Sequence, residues 1–195
     1  RKEDSISSIS KRIKLSYGWT HKWVNELIKE GILKEKWRGV ILNEENKGYK
    51  TIIKFLRESL NEINFYYSAL QLFGIDYCLT KTDAVYLWTE GRYNIARYKE
   101  YYPIFIKVKN KDYSTFSDYC KRLGLNINSN KRVFYVVEVV NDIKSVKKNN
   151  FYVESLEKTI EFMQANIYNF EPALEMIKEA HNKKLEVKYK EVNYL

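Results

Sequence analysis

The feature that most constrains the fold of this chain is the order of its first elements, two short helices followed by a hairpin, within residues 5–43. The isoleucines at positions 6, 9 and 13 recur at a helical spacing and give the first helix one apolar face. Ser5 can cap the N-terminus of this helix. A second helix is predicted over residues 17–30, with Ser16 as its N-cap and Gly31 as its stop.

The hairpin follows directly. Residues 32–36 and 40–42 are predicted to form two strands, and the segment Trp37-Arg38-Gly39 supplies the turn between them. The second helix has an apolar stripe that should face the core: Thr20, Trp23, Val24, Leu27 and Ile28.

Residues 15–33 resemble the recognition helix and first wing strand of the MarR-like winged-helix regulators. The resemblance rests on Leu15-Ser16 before the helix, on the apolar spacing within it and on Gly31-Ile32-Leu33 after it. It implies a winged helix-turn-helix that binds double-stranded DNA over residues 5–43, within a first domain of residues 1–46.

In such a domain the outward face of the second helix reads base edges in the major groove. Opposite the apolar stripe, that face offers Tyr17, Gly18, Trp19, His21, Lys22 and Asn25. An Asn can pair with adenine and a Lys can reach guanine or phosphate, whereas a Gly lets the backbone approach the duplex. Two alternatives stay open: Tyr17 and Trp19 can instead pack on the wing, and His21 can be an ordinary surface residue.

Basic side chains outside the helix provide further candidate contacts. Lys36 and Arg38 in wing 32–42 are placed to enter a minor groove or to touch phosphate. Lys11, Arg12 and Lys14 are candidates for phosphate contacts. The chain carries a net charge of +9, of which +6 falls on residues 1–60, and this balance suits a polyanionic partner.

The remaining sequence predicts one mixed α/β domain over residues 47–195, so the fold class is α/β (α+β). Strands are predicted over residues 84–89, 104–108, 133–140 and 151–153. Helices are predicted over residues 49–63, 65–73, 114–123, 155–165 and 172–182, with Pro172 in the first turn of the last one.

Residues 65–75 resemble a segment of the AbiEi antitoxin family, in which an aromatic-Ser-Ala-Leu helix ends at a glycine and a strand follows, here residues 84–89. Residues 153–160 resemble that family's strand-to-helix stretch, although the usual arginine near Glu157 is missing. The resemblance implies a repressor whose second domain contacts a cognate toxin.

Two other function classes remain open. The winged helix can be a protein-interaction module that does not bind DNA. Ser68-Ala69-Leu70 and Thr82-Asp83-Ala84-Val85 also resemble, faintly, a degenerate nucleotidyltransferase core. Such enzymes need a Gly where Tyr67 stands and a second metal-binding carboxylate where Val85 stands, so we expect no catalysis.

Cofactor and metal sites are not expected. Cys78 and Cys120 lie far apart, without a CxxC motif or a nearby histidine pair, and no glycine-rich phosphate loop occurs. No segment is apolar enough to span a bilayer, so a cytoplasmic protein is expected. Repressors commonly pair two winged helices on a palindrome, which makes a homodimer a further expectation.

Overall fold

The computed structural model describes residues 3–59, 62–185 and 187, and its contacts divide the chain into two compact units, residues 1–74 and 75–195. The sequence predicts a domain boundary between residues 46 and 47. The two helices that follow residue 46 belong to the first unit instead, so the observed division lies after residue 74.

The first unit begins with two capped helices. Its elements are β1 (Glu3–Asp4), α1 (Ile6–Ile13), α2 (Tyr17–Lys29), β2 (Leu33–Lys36), β3 (Gly39–Leu42), α3 (Lys47–Ser59) and α4 (Glu62–Leu72). The predicted caps are both present: the hydroxyl of Ser5 accepts from the amide of Ser8, and that of Ser16 accepts from the amide of Trp19. Each cap satisfies one of the amides that a helix N-terminus leaves unpaired.

The hairpin forms one side of a three-stranded antiparallel sheet with the order β1-β3-β2. Lys36 pairs with Gly39, so Trp37 and Arg38 alone make the turn. A Cβ atom on Gly39 would lie 2.5 Å from the carbonyl oxygen of Asp4. Only glycine therefore allows β1 to pack this closely against the start of β3.

The two helices predicted over residues 49–63 and 65–73 are both present, with the break between them displaced towards the N-terminus. α3 ends at Ser59 and α4 begins at Glu62, and residues 60 and 61 lie outside the described part of the chain. The helix predicted over residues 65–73 is the later part of α4, and Gly74 follows it with a left-handed φ of 60°.

The second unit is a six-stranded mixed sheet with four helices among its described residues. Its elements are β4 (Tyr77–Leu79), α5 (Lys81–Trp88), β5 (Tyr101–Lys109), α6 (Asn110–Leu123), β6 (Asn126–Ile127), β7 (Arg132–Val140), β8 (Val146–Lys148), β9 (Phe151–Val153), α7 (Leu156–Ala165) and α8 (Ile167–His181). The strand order is β6-β7-β5-β4-β9-β8, with β6, β5 and β7 mutually parallel and β4 antiparallel to β5. The expected mixed α/β fold class is thus confirmed.

The strand predicted over residues 84–89 is wrong, because this segment lies in helix α5 and the turn that follows it. Three consecutive residues of α5 are buried, Asp83, Ala84 and Val85. A helix surrounded by protein shows no apolar stripe, so its β-branched and aromatic residues resembled a buried strand.

The position predicted for Pro172 is also wrong. α8 begins at Ile167, and Pro172 lies inside it rather than in its first turn. Phe170 is buried in the same apolar cluster as Leu174 and Ile177, so packing extends the helix back past the proline. This cluster joins α5, α7 and α8.

Candidate nucleic-acid interface

Helix α2 is anchored by one face and exposed on the opposite one. Thr20 and Val24 are buried, and Leu27 and Ile28 are half-buried. Successive residues of a helix are rotated by about 100°, so the direction opposite this anchored face is centred on Lys22. Of the residues predicted for the outward face, Asn25 is half-buried and the others are exposed.

Three aromatic side chains of α2 are exposed, although of these only Trp19 lies beside Lys22; Tyr17 is exposed because it stands in the first turn, on the anchored side of the helix. Tyr17, Trp19 and Trp23 keep 56%, 57% and 55% of their surface open to solvent. Tyr17 and Trp19 therefore do not belong to the core, which removes packing as the explanation for them. The prediction that Trp23 belongs to the buried stripe is wrong. Trp23 lies near the edge of the anchored face, where its large indole stays exposed to solvent.

Polar groups along α2 contact each other one turn apart. The ring of Tyr17 lies 6.0 Å from that of His21, and a ring nitrogen of His21 lies 3.3 Å from the Asn25 amide nitrogen. On the other side of the face the Lys22 ammonium lies 5.3 Å from the centre of the Trp19 ring. These contacts restrict the rotamers of Asn25 and Lys22, the two strongest candidates for base or phosphate contact.

Gly18 occupies the first turn of α2, on the exposed face. A Cβ atom added there would meet nothing within 4 Å. No contact inside the protein requires a glycine at this position, in contrast to Gly39.

The β2–β3 hairpin carries the basic residues predicted for it, and also an exposed tryptophan at its turn. The guanidinium of Arg38 lies 4.3 Å from the centre of the Trp37 ring, and Trp37 is 83% exposed. Lys36 forms an ion pair with Glu3 on β1. The signal for Trp37 is in the sequence, since large aromatic residues are unusual in two-residue hairpin turns.

The three basic residues near the end of α1 differ from one another. Lys11 and Lys14 are exposed. Arg12 is half-buried, and its guanidinium forms an ion pair with Asp4. Its aliphatic stem also lies where a Cβ atom on Gly74 would be. These contacts give Arg12 a structural role, and we leave it out of the interface.

A shallow groove of about 390 Å³ lies between α2 and β2. Its walls are formed by Lys22, Asn25, Glu26, Ile28, Lys29 and Glu35. Glu26 forms an ion pair with Lys29 at 2.8 Å, and this pair neutralises one of the two carboxylates in the groove. The groove therefore combines hydrogen-bonding groups with little net charge, because its two lysines are balanced by its two glutamates.

In the second unit, Asp83 is part of a buried ion pair rather than an open metal site. Its Oδ1 lies 2.7 Å from the Arg97 guanidinium, and its Oδ2 accepts from the amide of Phe105 at 2.6 Å. The side chains of the pair are 0% and 1% exposed, and Arg97 packs against the rings of Tyr86 and Tyr102. Both carboxylate oxygens of Asp83 are thus engaged by the protein.

The two cysteines are buried and separate. Burial raises the pKa of each thiol to about 12, so neither is a thiolate near neutral pH. Within residues 3–59, 62–185 and 187, no cluster of His, Cys, Asp and Glu could hold a metal ion. None of the described helices is both long and apolar enough to cross a bilayer.

Comparison with protein-family models, with curated proteins and with solved structures found no match for this chain.

Proposed function

We propose that this protein binds double-stranded DNA through its first unit and regulates transcription. The observation that carries the proposal is the outer face of α2, where exposed Lys22 and His21 and half-buried Asn25 stand beside a glycine that the fold does not need. Such a face combines hydrogen-bonding groups for base edges with room for the backbone to approach the major groove.

The arrangement of the first unit supports this proposal. Two helices joined by a short break precede a hairpin whose second strand pairs with a short strand before them. In a winged helix-turn-helix, α2 would be the recognition helix and β2 and β3 the wing. The excess of basic residues on residues 1–60 would attract the phosphate backbone over a longer range.

Three finer statements belong to the same proposal. The regulator is a repressor, and the resemblance of residues 65–75 and 153–160 to the AbiEi family suggests the antitoxin of a toxin-antitoxin pair, with a toxin as the partner of the second unit, although residues 84–88 form a helix where that family's strand was expected. A homodimer would place two α2 helices on the half-sites of a palindrome. The proposal includes no catalysis: Asp83 is fully buried and its charge is paired with Arg97, which disfavours a metal ion at this carboxylate.

The test is a salt series of gel shifts on DNA from upstream of the protein's own gene. Each phosphate contact should contribute about 0.9 to the negative slope of log affinity against log salt. Asn25→Ala should reduce discrimination between operator and mutated operators by about 1–3 kcal/mol. Thr51→Ala, a substitution on exposed α3, is the control and should change neither quantity. Affinity that is absent, or that does not fall with salt, would overturn the proposal.

A second candidate is a protein-interaction module. It is favoured by the exposed apolar side chains of the first unit, among them Trp23, Ile52 and Phe55, because an exposed apolar patch commonly marks a protein interface. The same salt series separates the candidates, since apolar association does not weaken as salt rises.

A further inference from the structure

Trp37 is the most exposed large hydrophobic side chain in the described part of the chain, at 83%. An isolated exposed hydrophobic residue needs no explanation in itself. Trp37 differs because it occupies the tip of a two-residue turn, between strands that end at Lys36 and begin at Gly39.

The turn residues are poorly suited to the turn. Two-residue hairpin turns favour Asn, Asp and Gly, since one or both positions need a left-handed backbone. Here Arg38 adopts a φ of 63°, a conformation that glycine adopts far more readily. Where local sequence works against local structure, the position commonly serves a function outside the fold.

The tip is held in a fixed position. β3 is the central strand and pairs with both β1 and β2, and the lack of space at Gly39 prevents a shift of register. The ion pair of Lys36 with Glu3 ties the end of β2 to β1. A side chain presented by such a frame loses little conformational freedom when it binds.

We propose that the Trp37-Arg38 turn is a wedge for duplex DNA, with the indole inserted at a base step from the minor groove and the guanidinium in the same groove. This inference rests on the proposed DNA binding. Arg38 covers one face of the Trp37 ring, and the high exposure of the ring leaves its other face open to stack on a base. The guanidinium stacked on the ring can attract the phosphates of the DNA, and the aromatic ring can stack on one of its bases.

Insertion has a mechanical consequence for the DNA. A wedge unstacks one base step and kinks the duplex towards the major groove, most readily at the flexible TA and CA steps. The wing would then select sequence by the ease of deformation, while α2 selects it by contacts to base edges.

The experiment measures bending and affinity together. A 30-base-pair duplex from upstream of the gene carries a donor and an acceptor dye at its two ends, and energy transfer reports the end-to-end distance. The wild-type protein should raise the transfer. Trp37→Ala should lose this rise and weaken binding by about tenfold, within the range found for loss of one stacked base. Trp37→Phe, which keeps a ring, should retain part of both effects.

Tyr168→Ala is the matched control. Tyr168 is 79% exposed and lies in the second unit, so its loss removes a comparable exposed ring without changing the wing. It should leave bending and affinity as in the wild type. Melting temperatures of all variants verify that each is folded.

The outcomes separate this inference from the proposed function. Salt-dependent binding without any rise in energy transfer, or with Trp37→Ala equal to wild type, overturns the wedge and leaves DNA binding in place. Absence of salt-dependent binding overturns both.

Discussion

Gly18 shows how a single residue can separate the needs of the fold from those of a partner. In a helix, glycine is less stable than alanine by about 0.5–1 kcal/mol because it loses more backbone freedom, with a smaller penalty expected in the first turn. The space around Gly18 would accept a methyl group. The fold therefore gains nothing from the glycine, whereas a helix backbone lying close to DNA would.

Gly18→Ala should for this reason stabilise the protein and weaken DNA binding at once. We expect a rise in the free energy of unfolding of up to about 0.5–1 kcal/mol from urea titration. We also expect a lower affinity in gel shifts. Thr51→Ala on exposed α3 also improves helix propensity but changes no residue of α2 or of the hairpin, and its affinity should be unchanged. A Gly18→Ala protein that binds DNA as tightly as wild type would exclude close approach of this turn.

At the scale of single elements, the sequence predicted best what is decided locally. The caps Ser5 and Ser16 and the stop at Gly31 act within one turn of chain, and all of them occur as expected. Helix α5 could not be predicted in this way. Its environment is supplied by α7, α8 and β5, which are distant in sequence.

The candidate interface was predictable to the same extent. The face of α2 follows from the apolar spacing, because exposure lies opposite the buried stripe. The exposure of Trp23 and the structural role of Arg12 depend on neighbours from other elements. Arg12 pairs with Asp4, in a strand of two residues that no periodicity could reveal.

The turn between β2 and β3 permits a prediction in which stability and binding again move in opposite directions. Arg38 holds a left-handed conformation that costs a non-glycine residue about 1 kcal/mol. Arg38→Gly should therefore raise the free energy of unfolding by about this amount. It should also weaken DNA binding evenly across sequences and reduce the salt slope by about 0.9, because one phosphate or groove contact is lost. Arg38→Lys, measured in parallel, should keep the salt slope; a slope unchanged in Arg38→Gly would contradict the contact.

The pair of Asp83 and Arg97 links α5 to the segment before β5. Removal of one partner leaves a buried charge without compensation, which costs about 3–5 kcal/mol. Asp83→Ala should thus lower the free energy of unfolding by that amount in urea titration. The double variant Asp83→Ala/Arg97→Met should lose less than the sum of the single losses, because it leaves no buried charge. A stable Asp83→Ala protein that had lost a Mg²⁺-dependent nucleotide turnover would instead make Asp83 catalytic.

At the scale of the whole molecule, the basic charge and the buried acidic groups lie in different units. Residues 1–60 carry most of the net positive charge, +6 of +9, whereas Tyr77, Cys78 and Cys120 belong to the second unit. Burial raises the pKa of all three to about 12, from ordinary values of 10 for the tyrosine and 9 for the cysteines. DNA binding and alkaline stability should therefore depend on different parts of the chain.

The direction of the pH dependence follows from these shifts. An acid whose pKa is higher in the folded state holds its proton more tightly there, so folding is favoured in full below pH 9 and progressively less as the pH rises towards 12. The free energy of unfolding from urea titrations at pH 8 to 11 should accordingly fall with pH. Cys78→Ala/Cys120→Ala should be less stable at pH 8, because it leaves cavities, but should have a shallower slope. All other titrating groups are common to both proteins, so the difference between the two slopes isolates the thiols. Equal slopes would mean that the thiols ionise as easily in the folded protein as in the unfolded chain.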